Sequence, residues 1–263
     1  LSDNQMLKYE SSSKIIDLYY GAPRIIINGY GTITIVEHTD HSFDGTTGKC
    51  TECGKPCEHG GKINTDNGKC SICGKVCGAI VIKADGTAVG CDDLAAAFAE
   101  AGNNNGCTLK LFSNYEPSKV IEVSGKFTID LNGKQCLNSK NIIIGKNATI
   151  TLTGNSNSSI AKLKVAGGTV SADCSGAIYQ ITVEDGKLNI YSGEVDSLHI
   201  EAGADIALYG GFINDIFNNT GDTILLRSLL ADGYAFATKD DSGTLTVANK
   251  YDSTISQIGR AHV

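Results

Sequence analysis

Residues 163–221 read LKVAGGTVSADCSGAIYQ, ITVEDGKLNIYSGEVDS, LHIEAGADIALYGGFIND and IFNNTG, four units that begin at Leu163, Ile181, Leu198 and Ile216. The starts are 18, 17 and 18 residues apart, and a second row of glycines, Gly176, Gly193 and Gly211, keeps the same step. A period this short and regular implies a solenoid, in which each coil covers the apolar face of the next. Within a unit the alternation has period two. Ile181, Val183, Leu188 and Ile190 face one way, and Thr182, Glu184, Asn189 and Tyr191 the other. Strands this short, each ended by glycine, suit a coil that turns sharply two or three times and forms a narrow, flattened or triangular tube. Recurrent glycine rules out an all-helical reading.

Working outward, residues 79–256 are expected to form this solenoid together with its ends. VIEVSG (120–125), KFTIDLNGK (126–134), NIIIG (141–145) and ATITLTGN (148–155) read as earlier, longer coils of about 21 residues with polar insertions such as NSNSS. The stretch CDDLAAAFAEAGNNNG (91–106) is the one clear helix, near 92–102. Asp92 or Asp93 caps it, and the asparagines with Gly106 stop it. A helix placed there is expected to plug the open end of the tube, where bare strand edges would otherwise recruit other chains. LLADGYAF and TLTVA read as a strand pair that closes the far end. The fold class is therefore all-β: a right-handed parallel β-helix with short coils and an N-terminal capping helix.

Six of the ten cysteines fall between Cys50 and Cys77. Residues 37–78 hold two copies of one pattern, His41-x8-Cys50-x2-Cys53-Gly-Lys-x-Cys57 and His59-x10-Cys70-x2-Cys73-Gly-Lys-x-Cys77. A Cys-x2-Cys-Gly turn lets both thiolates face one point, as a tetrahedral ion with sulfur ligands at about 2.3 Å requires. The repeat predicts two closed structural zinc sites: His41, Cys50, Cys53 and Cys57 in one, His59, Cys70, Cys73 and Cys77 in the other. The alternative partition takes His38, His41, Cys50 and Cys53, then Cys57, His59, Cys70 and Cys73, and leaves Cys77 over. Disulfides are a further alternative for a secreted chain, although they leave the histidines unexplained. The segment's apolar residues are few (Phe43, Ile63, Ile72, Val76), so it needs the metal to fold. Cys91 and Cys107, which bracket the helix, are either bonded to each other or free.

The order of Cys/His knuckles, ADGT, DDLAAAFAEA, TLKLFSN, FTIDLNGK and short GG-punctuated coils up to SLLADGYAF resembles surface proteins of gut Firmicutes that carry pectin-lyase-like β-helix domains. It covers about residues 37–250. The resemblance implies a secreted or wall-attached, multi-modular bacterial protein. Residues 1–36, with KIIDLYY, RIIING and GTITIVE, read as the strand-rich end of a preceding β unit. Leu1 carries neither an initiator methionine nor a leader, so the chain is expected to start inside a longer protein in which knuckle block and solenoid alternate. Residues 257–263 resemble a translated sequencing adapter and are set apart from the fold.

A net charge of −7 without a basic stripe argues against nucleic acid as a partner. No apolar run reaches the roughly 18 residues of a spanning helix. Glu184 and Glu201, one coil apart, with Asp130, Asp173 and Asp185 nearby, are the carboxylates a glycosidase would need. The short coils supply no long loops to wall a groove, and Arg227 is the only arginine in the tube. Tyr191 and Tyr209 occupy the same outward place and could stack on a sugar or simply on each other. His199 stands alone on a strand. These features favour a non-enzymatic extracellular stalk or adhesion module, a monomer with a glycan or a host surface protein as its partner. A carbohydrate-active β-helix enzyme, a glycosidase or lyase, is the alternative.

Overall fold

The computed structural model describes residues 5–11, 14–18, 32–37, 41–51, 55–59, 62–117, 119–137, 142–238 and 245–249. The chain divides into two compact units, Leu1–Cys77 and Gly78–Val263. Residues 257–263 lie outside the described residues.

The second unit is a β-solenoid of about five turns. Each coil has three short faces, as the glycine spacing predicts. On the first face Thr108–Leu111, Lys126–Asp130, Thr149–Gly154 and residues 169–174 stack in parallel, and farther along residues 186–190 pair with Ala204–Leu208. On the second, Ile121–Val123 is followed by Ile142–Gly145 and by residues 163–167. Farther along the same face, residues 198–200 pair with 216–218. The third runs from Tyr115 through Gln135–Cys136 and Ser159–Ile160 to Val195 and Ile213. The register pairs Leu109 with Ile129, Ile129 with Leu152, Leu152 with Ala172, and Leu188 with Ile206. Early coils therefore take 20 to 23 residues and the late one 18.

Aliphatic side chains fill the tube. Ile181, Val183, Leu188, Ile190, Leu198, Ile200, Ile206 and Leu208 are all buried, as the alternation predicts. The space left between Leu94, Phe98, Leu109, Ile129 and Leu152 is about 10 Å³, room for one water at most. The outward rows depart from expectation. Asn189 is buried rather than solvent-facing, while Thr182 and His199 are only half-exposed. Outward side chains one coil apart stand about 4.8 Å from one another and cover each other. Asn189 donates to Ser171 Oγ at 3.4 Å, and the His199 ring stacks on Phe217 at 4.6 Å.

Both ends are closed by non-solenoid elements. Ala79–Ile82 pairs antiparallel with Ala88–Cys91 and with the first coil strand, Thr108–Leu111. Helix α1 (Leu94–Gly102) buries Leu94, Ala97, Phe98 and Ala101 over the mouth of the tube, where Phe98 meets Phe127 at 6.3 Å. Its cap is Asp93, which accepts from the Ala95 N–H, and Tyr115 Oη donates to the same carboxylate at 2.8 Å. Cys91 and Cys107 are not bonded to each other; both thiols are free. At the far end Tyr234–Thr238 and Leu245–Asn249 form an antiparallel hairpin, which pairs with Phe212 and Ile213.

In the first unit Gln5–Ser11 pairs antiparallel with both Lys14–Leu18 and Thr32–Glu37. These strands form a small antiparallel sheet, the same kind of pairing that Tyr234–Thr238 and Leu245–Asn249 make at the end of the solenoid. Their composition is the same for either direction, and only the returning connections decide.

Candidate metal centre

Residues 42–51 and 55–57 form one copy of a loop and residues 62–77 a second, offset by 20 residues and sharing backbone hydrogen bonds. Asp44 N–H donates to Lys49 O in the first copy and Asn64 N–H to Lys69 O in the second. Cys50 N–H donates to Lys55 O and Cys70 N–H to Lys75 O; Cys57 N–H donates to Gly48 O and Cys77 N–H to Gly68 O. Asp44 Oδ1 and Asn64 Oδ1 each accept from two N–H groups of their own turn. The sequence dictates this loop locally. Asp or Asn opens an Asx turn, and Gly48 and Gly68 supply positive φ of 68° and 72°.

One four-donor group forms in this unit among the described residues: Cys57, His59, Cys70 and Cys73, whose ligand atoms all lie within 4.8 Å of one another. All four residues are buried. Cys57 Sγ stands 4.0 Å from Cys70 Sγ, and Cys73 Sγ 3.5 Å from His59 Nδ1. Metal bonds of about 2.3 Å to sulfur and 2.0–2.1 Å to nitrogen, at tetrahedral angles, place such pairs about 3.8 and 3.6 Å apart. A disulfide needs about 2.05 Å, and Cys57, Cys70 and Cys73 form none. The group could hold a metal ion.

Local geometry explains the choice of donors. Gly74, at φ 76°, lets its N–H return to Cys70 O at 2.8 Å, which closes the Cys70–Cys73 knuckle. His59 adopts φ 50°, the left-handed region that histidine enters more readily than most residues. That turn brings its ring to the side of the second knuckle. Burial pushes the Cys57 thiol up to about 11. Burial also raises Cys70, but the Cys73 N–H, the His59 ring and the Ile72 N–H outweigh it and bring that thiol down to about 7. Ligation requires both as thiolates, so loading releases protons.

This is the second set of the alternative partition, and it corrects the assignment that the repeat suggests. Cys57 joins His59, Cys70 and Cys73 in place of Cys77, which is buried at the end of its own copy. His41 and Cys50 enter no group of three among the described residues, and Cys53 and His38 lie outside them. Sequence reasoning ranked the sets by the match of Cys57 to Cys77. The Cys57-x-His59 spacing, which has no counterpart after Cys77, is the signal for the observed set.

The carboxylates weighed for catalysis are each engaged elsewhere. Lys164 Nζ pairs with Glu184 at 2.6 Å, and Asn219 Nδ2 donates to Glu201 Oε1 at 2.8 Å. Ser192 Oγ donates to Asp173; the backbone N–H groups of Asn132 and Gly186 donate to Asp130 and Asp185. Tyr191 and Tyr209 stack on each other at 4.6 Å. Comparison with protein-family models, curated proteins and solved structures finds no match.

Proposed function

We propose that this chain is a non-enzymatic extracellular module of a bacterial surface protein, a stalk or adhesion unit whose cysteine-rich segment carries structural zinc. One observation carries the reading: the outward side chains of the later coils pair with one another from coil to coil. Lys187 meets Asp205 at 3.0 Å, Asn214 Nδ2 donates to Glu194 and Asp196, Ser192 meets Asp173, and Tyr191 stacks on Tyr209. Such ladders finish a surface and leave no free acid beside a free base. The alternative, a carbohydrate-active enzyme working through Glu184 and Glu201, has both carboxylates held by neighbours. The acidic chain suits a glycan or a host surface protein as partner better than nucleic acid.

Zinc follows from the donor set, since three thiolates and an imidazole around a tetrahedral point favour it, and four protein ligands leave no position for a reacting water. A count of two ions rests on the 20-residue offset. In the sequence Cys50 and Cys53 align with Cys70 and Cys73, and His38 and His41 come just before them.

The test is incubation of the intact chain with pectins, plant xylans and mucin glycans, with both retention and product release measured. Retention, or no interaction, without new reducing ends or unsaturated uronates is the expected result. Catalytic release of either product overturns the reading.

A further inference from the structure

The early coils spend more residues than the late ones, and part of the surplus sits at the corner between the first and third faces. Between the first and third faces the chain makes LNGK (131–134) and GNSNSS (154–159), whereas the later coils turn through Ser175–Gly176 and Ser192–Gly193. The tight form is enforced. A Cβ on Gly176 would lie 2.0 Å from Ser158 O, and one on Gly193 2.0 Å from Cys174 O. The wide corners are held open by their own hydrogen bonds. Asn132 and Gly133 take positive φ, Gly133 N–H donates to Ser158 Oγ at 3.1 Å, and Gln135 N–H donates to Asn114 Oδ1 at 3.0 Å.

The result is a groove of about 530 Å³ along that corner, crossing four successive coils from Asn114 past Lys134, Gln135 and Asn157 to Tyr179. At about 4.8 Å per coil it runs roughly 14 Å along the axis. Its lining differs from the finished ladders. Among the described residues the Gln135 and Asn157 amides, the Lys134 ammonium and the Tyr179 hydroxyl take no side-chain partner. Tyr179 is 47% exposed and stacks on no ring among the described residues, unlike Tyr191 on Tyr209.

We infer that this groove binds an extended, uncharged oligosaccharide. Amides and hydroxyls provide donors and acceptors for sugar hydroxyls, and an open tyrosine face provides a platform for the apolar side of a ring. Among the described residues its lining includes no carboxylate and a single cation, Lys134, which disfavours a charged ligand. The described lining forms no deep apolar pocket for a peptide side chain. The coil spacing matches one sugar unit of an extended chain, so each wide corner meets a successive unit. This inference rests on the adhesion form of the proposed function rather than the stalk form.

The experiment is an array of neutral gluco-, manno-, xylo- and galacto-hexasaccharides probed with the full chain, followed by titration calorimetry on the hexasaccharide retained. Tyr179→Ala should weaken binding about tenfold. Gln135→Ala, at a half-buried position, and Asn157→Ala, at an exposed one, should weaken it severalfold. Tyr191→Ala should leave binding unchanged, and the three groove variants should melt with the parent. No binding to any neutral hexasaccharide, binding to acidic glycans only, capture of a protein alone through this corner, or loss on Tyr191→Ala but not on Tyr179→Ala would overturn the inference. A failure here leaves the stalk reading standing, since that reading fails only if polysaccharide is cleaved.

Discussion

Cys57 and Cys77 make the same backbone hydrogen bond, each to the glycine nine residues before it, yet only Cys57 joins a donor group. The difference lies in the residues directly C-terminal to each. Cys57 is succeeded by the left-handed turn at His59, and Cys77 by Gly78 and the strand Ala79–Ile82. If the chain carries the two zinc ions proposed, Cys57→Ser should lower the zinc content measured by plasma emission from two to one, while Cys77→Ser keeps two. Equal loss from both variants would restore the repeat-based assignment. The residue types of the site were legible in the sequence; their partition was marked only by the Cys57-x-His59 spacing, which the alignment of Cys57 with Cys77 outweighs, because side-chain direction at a chain reversal depends on φ. Asp93 offers a second test at this scale. The Tyr115 hydroxyl and the helix N–H groups hold its carboxyl below the ordinary value. A lowered carboxyl contributes stability above about pH 4, its unfolded range, and loses it as pH falls through the folded value. Asp93→Ala should cost about 1 kcal/mol at pH 7 by urea denaturation, and the gap to the parent should shrink below pH 4. A gap that widens in acid would contradict this role.

Among the elements, the coil corner decides how closely rungs can stack. Gly193 combines φ 97° with a Cβ position 2.0 Å from a neighbouring backbone oxygen, whereas Gly86 has φ 84° and nothing within 4 Å. Gly86→Ala should therefore cost about 1–2 kcal/mol, the strain of the left-handed region alone. Gly193→Ala adds a backbone clash and should cost clearly more; equal costs by chemical denaturation would refute the close approach. Leu198→Ala, at a fully buried inward position, should cost about 2–5 kcal/mol. The inward set was legible because period-two alternation repeats through every coil. The burial of Asn189 was not, because it depends on Ser171 in another coil, 18 residues away. The antiparallel pairing of Gln5–Ser11 was equally hidden, since the same strand-forming residues serve either direction.

At the scale of the whole chain two stabilising mechanisms operate side by side. The second unit buries a continuous aliphatic core from Ala79 to Val247. In the first, the described buried side chains between Cys50 and Cys77 are mostly metal-binding residue types, with Ile63 the aliphatic exception. A zinc ion supplies about 10–16 kcal/mol to such a segment, more than its apolar surface can. The solenoid needs no ion, because coil-on-coil burial already covers its apolar faces. Calorimetry of the intact chain, with and without a zinc chelator, separates the two. The account predicts two unfolding transitions in the zinc-loaded chain, of which the smaller vanishes on chelation while the larger keeps its midpoint. A single transition that shifts as a whole on chelation, or two that ignore the chelator, would contradict it.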